Sequence, residues 1–305
     1  MTGKEKLQLI LNGQIPDSPP HWELAFQIEN EMFGIDPAAV ETAVYPSQED
    51  KDKAAWAHQV GVFHRLVDEL DWAAAPGGYG ARQVGFIKKA LGAKMLVAGY
   101  GADGVFWMPS GNDIMDFVVK LYEHPKELHA EARKKCDGQK KVFREMADAG
   151  ADFFVMTADF GFNDGPFISP EHFRDLVTPY LSEIVQAVHE IGLKIILHSD
   201  GCLNQILDQI HSTGIDGYQS IDPQGHMDIK QVRGQYPDWI LMGNVACNML
   251  QDTNEARIRE SVRYCMTHGG VGKPYIFSTS NCIFKGMPPE SYRIMLDEYH
   301  RIIMK

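Results

Sequence analysis

The feature that most constrains this chain is an alternation that persists over most of its length. Short, β-rich apolar runs are each followed by a longer segment in which apolar residues recur with helical period. The runs fall at 21–25, 71–76, 94–100, 153–158, 194–198, 217–221, 239–243 and 275–279, and Gly, Pro, Asp or Asn bound them. Strands that are buried on both faces read as continuous apolar runs, and strand–helix–strand order implies a parallel sheet. Eight such units close a (β/α)8 barrel. The expected fold is therefore α/β, a TIM barrel with N-terminal helical additions. A length of 305 residues suits one such barrel. No Gly/Ser or Pro-rich linker, internal repeat or low-complexity tract divides it, so 1–305 reads as a single barrel domain.

The helices carry their own signals. Residues 4–12 form a short amphipathic segment closed by Gly13 and followed by the extended stretch Pro16-Asp17-Ser18-Pro19-Pro20. Ser169-Pro170-Glu171 is a start signal: an N-cap hydroxyl, a proline in the first turn and an acid at the positive end of the dipole. The apolar face that follows runs to Ile191 and ends at Gly192. Pro179 inside it predicts a kink or two consecutive helices. Further helices are expected at 205–212, 228–235, 255–268 and 290–303.

Composition removes several function classes. A hydrophobic fraction of 44% with 23% charged residues supplies a large core and excludes a disordered chain. The net charge of −12, with no cationic block, argues against nucleic acid and against an anionic membrane as partner. Five scattered cysteines without a CxxC argue against a disulfide framework. Residues 1–6 lead into a helix and not into a signal h-region, and there is no apolar run of about 18 residues. These features predict a cytoplasmic protein without a membrane span. The sequence does not set an oligomeric state.

Barrel enzymes keep their chemistry at the C-terminal ends of the strands. Those ends carry His21 and Glu23, Asp159, His198 and Asp200, Asp222, Asn244, and Cys282. His198 and Asp200 are the sharpest pair, because residues i and i+2 of a strand share a face. An imidazole, a carboxylate and the Cys282 thiolate would make a three-ligand zinc site with an open position. The plainer alternative makes Asp200 a helix cap and His198 a hydrogen-bonded structural residue. Asp159 closes the apolar run FFVMTA, and a carboxylate there is costly unless it is paired or used. Asp159 and Glu23 are accordingly candidate proton donors, and Asp222 and Asn244 candidate substrate contacts. Trp22, Tyr100, Trp107 and Phe160, near strand ends, are core residues or the walls of an apolar pocket. The glycine stretches 77–80 and 99–104 precede no clear helix and read as turns, not as GxGxxG loops.

Four segments resemble the uroporphyrinogen decarboxylase superfamily: LNGQIPDSPP at 11–20, ISPEHFRDLVTPYLSEIVQAVHEIG at 168–192, ILHSDGC at 196–202 and STSNCIFKGMPPESYRIML at 278–296. They run in order through almost the whole chain and are specific in combination. The superfamily fold is a (β/α)8 barrel. It contains porphyrin decarboxylases, which place arginines just after the PP motif, and corrinoid-dependent methyltransferases, which hold zinc through H-x-C and a later cysteine. Here 21–34 contains three Glu and no Lys or Arg, which disfavours a polycarboxylate. His198 and Cys282 match the zinc positions of the methyltransferase branch, but Asp200 stands where its first cysteine would be. The resemblance therefore implies a harder, more Lewis-acidic centre suited to polarising an ether oxygen, or no zinc. The expected activity is demethylation of a small methyl donor, preferably an aryl methyl ether, onto the Co(I) corrinoid of a partner protein. The alternatives are methyl transfer from methylcobalamin to a thiol, decarboxylation, and a non-catalytic binding subunit.

Overall fold

Seven of the eight apolar runs form a parallel ladder. The computed structural model describes residues 1–102, 105–106, 108–270 and 272–304. Its strands are β1 (Ala74–Pro76), β2 (Leu96–Ala102), β3 (Phe153–Thr157), β4 (Ile195–Ser199), β5 (Gly217–Ser220), β6 (Ile240–Val245) and β7 (Tyr275–Thr279). They pair in chain order, every pair parallel. β4 to β7 are buried at every position, as both faces of a helix-covered sheet should be.

The run at 21–25, expected as the first strand, is corrected by the structure. It makes only isolated bridges, His21 with Phe277 and Phe26 with Ile283. Even so, the segment occupies the eighth position. Phe277 N–H donates to the Pro20 carbonyl at 2.9 Å, Trp22 N–H to Phe277 at 3.2 Å, and Ala73 N–H to His21 at 3.0 Å. It therefore ties β7 to β1 and closes the ring. Two physical causes keep it from becoming a ladder. Pro19 and Pro20 have no N–H to extend it upstream. Downstream, the Thr279 N–H is taken by the Glu23 side chain at 2.9 Å and not by a backbone carbonyl.

The helical expectations at 168–192 resolve as two helices, Pro170–Leu176 and Thr178–Glu190. Ser169 caps the first by accepting from His172 N–H at 3.2 Å. The N-terminal helix Gly3–Leu11 buries Leu7, Ile10 and Leu11 near the residues that lead into the strands. Helix Gln48–Leu70 is the longest of the N-terminal additions. Among the described residues no helix is long and apolar enough to cross a membrane.

Candidate active site

The C-terminal ends of β3, β4 and β5 bring together the polar groups that the strand-end rule singled out. His198 is the penultimate residue of β4, its side chain 11% exposed, and the side chain of Asp159, just beyond β3, is 25% exposed. His198 Nε2 lies 3.8 Å from Asp159 Oδ1. Asp200 follows the end of β4, and its backbone N–H donates to Asp159 Oδ1 at 3.0 Å. One donor atom from each of Asp159, His198 and Asp200 lies within 4.8 Å of the others.

Neighbouring strands brace each member. The Ser220 hydroxyl donates to Asp200 Oδ1 at 2.6 Å, and the Asn281 amide donates to Oδ2. His198 Nδ1 meets the Gln219 carbonyl oxygen. Burial raises the Asp200 carboxyl pKa; His198 and the Ser220 hydrogen bond oppose this, while Asp159 and Asp222 reinforce it. A carboxylate facing two others in a half-buried site favours a cation or a proton between them. Gly201, at φ +82, lets the rim close, because a Cβ there would stand 2.2 Å from the Gly161 carbonyl oxygen. A cleft of about 170 Å³ opens beside Asp200, bounded by Asp222, Cys247, Ser280, Asn281 and Phe284. A larger concavity, about 700 Å³, lies at the other end of the strands around Ile10, Asp216 and Trp239. That is the end where barrels keep stability and not catalysis.

The other candidates fall in different places. Cys282 is not in the three-residue group. Burial, with Cys247, Glu23 and Asp200 nearby, holds its thiol well above the ordinary range, so it stands as a neutral thiol. Glu23 is fully buried, and its Oε2 accepts from Ser278 Oγ (2.9 Å), Thr279 N (2.9 Å) and Thr279 Oγ1 (2.7 Å). Trp22 is fully buried and packs edge-on against Phe153 at 5.4 Å. Phe160 is likewise buried, against Phe167 and Phe173. The Tyr100 hydroxyl donates to the Leu24 carbonyl at 2.6 Å. Asp222 caps the turn that follows it and accepts from Gly201 N–H at 3.2 Å. Asn244 donates to the Ile221 carbonyl at 2.9 Å and lines a separate cavity of about 300 Å³. Trp107 lies outside the described residues.

Gln219, Ser220 and Asn281 were not singled out from the sequence. The available signal was polarity inside an apolar run: Gln219 and Ser220 interrupt 217–221 and are fully buried. A second acidic group, Cys136 with Asp137 and Glu183, sits on the outer helices, where Arg133 and Lys140 already neutralise both acids.

Comparison with known proteins adds three findings. A family model described as "Uroporphyrinogen decarboxylase (URO-D)" matches residues 105–302. Uroporphyrinogen decarboxylase of Psychromonas ingrahamii is 27% identical over 59% of this chain and 50% of its own length. The chloroplastic enzyme of Nicotiana tabacum is 27% identical over 66% of this chain and 49% of its own. The chain thus spans about half the length of these curated relatives. A methyltransferase from Methanosarcina mazei shares the fold, with a TM-score of 0.76 over 99% of each chain at 13% identity.

Proposed function

The chain belongs to the uroporphyrinogen decarboxylase family, and from that premise we propose that it is a methyltransferase and not a decarboxylase. It would remove a methyl group from a small donor, with an aryl methyl ether as the preferred class. The group would pass to the Co(I) corrinoid of a separate protein docked over the C-terminal rim. The observation that carries this reading is the composition of the rim: one imidazole and two carboxylates converge there within 4.8 Å.

A divalent ion fits that donor set. Ligands about 2.0–2.2 Å from a tetrahedral zinc stand about 3.4 Å apart. The 3.8 Å between His198 Nε2 and Asp159 Oδ1 is within a small side-chain rotation of that. Asp159, His198 and Asp200 would hold the ion and leave a fourth position open. When bound, it would supply Lewis acidity to the departing oxygen, which as phenolate is otherwise a poor leaving group. The protein's own part is orientation. Ser220 and Asn281 fix both oxygens of Asp200, and the Asp200 N–H fixes Asp159. An N,O,O set is harder than a thiolate set, which favours an ether oxygen over activation of a thiol acceptor.

Charge argues against decarboxylation of a polycarboxylate. The segment 21–34 has three Glu and no Lys or Arg, and the rim adds Asp159, Asp200 and Asp222. The experiment mixes the protein with a Co(I) corrinoid protein and a set of methoxyarenes and follows the Co(I) absorbance. The expected result is donor-dependent loss of that signal with wild type and none with His198→Ala. Loss at an equal rate in the variant, or no loss with any methyl donor, removes the proposal.

A further inference from the structure

We infer that Gln219 is a positioning residue that fixes the tautomer of the neutral His198 ring, so that Nε2 presents a lone pair to the rim and serves there as ligand or proton acceptor; this rests on the site assignment above. Gln219 is the register partner of His198 on the adjacent strand and is fully buried. Its amide makes two contacts. The nitrogen end meets the Thr279 carbonyl at 3.3 Å, and the oxygen end meets His198 Nδ1. β5 and β7 are alternate strands, whose inward side chains share a layer of the barrel interior.

The chemistry of these partners leaves one assignment. A backbone carbonyl only accepts, so the amide nitrogen must face Thr279. The amide oxygen then faces His198, and it too only accepts. Nδ1 must therefore carry the hydrogen, and in the neutral ring Nε2 is the bare nitrogen. Nε2 lies 3.8 Å from Asp159 Oδ1, and a donor atom of Asp200 completes the group. In that form the ring contributes no hydrogen toward the carboxylates, and Asp159 Oδ1 accepts instead from the Asp200 N–H. A cation, a proton or a substrate hydroxyl hydrogen in that space would offset the carboxylates' repulsion. In this neutral tautomer the ring has no Nε2 hydrogen to give to a leaving oxygen.

The test is nitrogen NMR of ¹⁵N-histidine-labelled protein at neutral pH after chelation, followed by titration with zinc ion alone. Wild type should show Nδ1 protonated and Nε2 bare. Gln219→Glu keeps an acceptor toward Nδ1 and should preserve both the pattern and zinc affinity to within a few-fold. Gln219→Met removes the acceptor; it should populate the Nε2–H form and weaken zinc by roughly 10–100-fold. An Nε2–H signal in wild type, or a Gln219→Met variant with unchanged tautomer and affinity, overturns the inference. The two proposals fail separately: a protein that shows the expected tautomer but demethylates nothing refutes the methyltransferase reading alone.

Discussion

Glu23 shows how the same residue type can stand at a strand end for two different reasons. It is buried completely, yet three donors converge on one of its oxygens, and its other oxygen lies 3.4 Å from His21 Nε2. Charge-assisted bonds of this kind each contribute about 1.5–3 kcal/mol, and leaving their donors unmet costs a similar amount. Glu23→Gln should therefore lower stability by about 2 kcal/mol, read as a shift in the urea midpoint at constant slope. A variant that loses activity at unchanged stability would make Glu23 catalytic instead. It was legible in the sequence as an acid in the first apolar run. Its partners were not, since Ser278 lies 255 positions away. The same holds for the rim triad. Asp159, His198 and Asp200 announce themselves as polar groups that end apolar runs. Gln219, Ser220 and Asn281 take their roles from the register of neighbouring strands, which periodicity does not encode.

At the scale of elements, local chemistry was the more readable part. The Ser169 cap and the break near Pro179 follow from the missing N–H of proline and the short reach of a hydroxyl, and both are present. The eighth strand position could not be read correctly. Its apolar pattern is strand-like, but two prolines and a competing carboxylate reduce it to a bridge. The outer helices are joined by a further contact that the sequence concealed. Arg133, on helix Pro125–Asp148, makes a bidentate pair with Glu183 at 2.5 and 2.7 Å, and Lys140 adds a third bond. Arg133 and Lys140 hold the Glu183 carboxyl down at about 2, against the opposing effect of burial. A depressed acid contributes stability above its unfolded pKa, near 4.3, and loses it as the pH falls toward 2. The Glu183 side chain is 40% exposed, so solvent screening limits the pair to about 1 kcal/mol. Glu183→Gln should melt below wild type at pH 7, and the gap should close between pH about 4.5 and about 2. A gap independent of pH over that window would contradict the ion-pair account.

At the scale of the molecule, the ring of strands decides which distant residues meet. Sequential parallel order places the ends of β3, β4 and β5 side by side, and closure through 20–22 brings β7 round to join them. This is why Asn281 reaches Asp200 from 81 positions away. The order of the apolar runs made that architecture readable. The grouping was less so: strand-end position suggested Cys282 beside His198 and Asp200, while the donor atoms that lie within 4.8 Å of one another are those of Asp159, His198 and Asp200. The most direct measurement is therefore an equilibrium titration of the chelated protein with zinc ion, run on wild type and four variants. The account predicts one ion per chain, lost in Asp159→Asn, His198→Ala and Asp200→Asn and retained in Cys282→Ser. Binding that survives the first three substitutions, or disappears with Cys282→Ser alone, would contradict it.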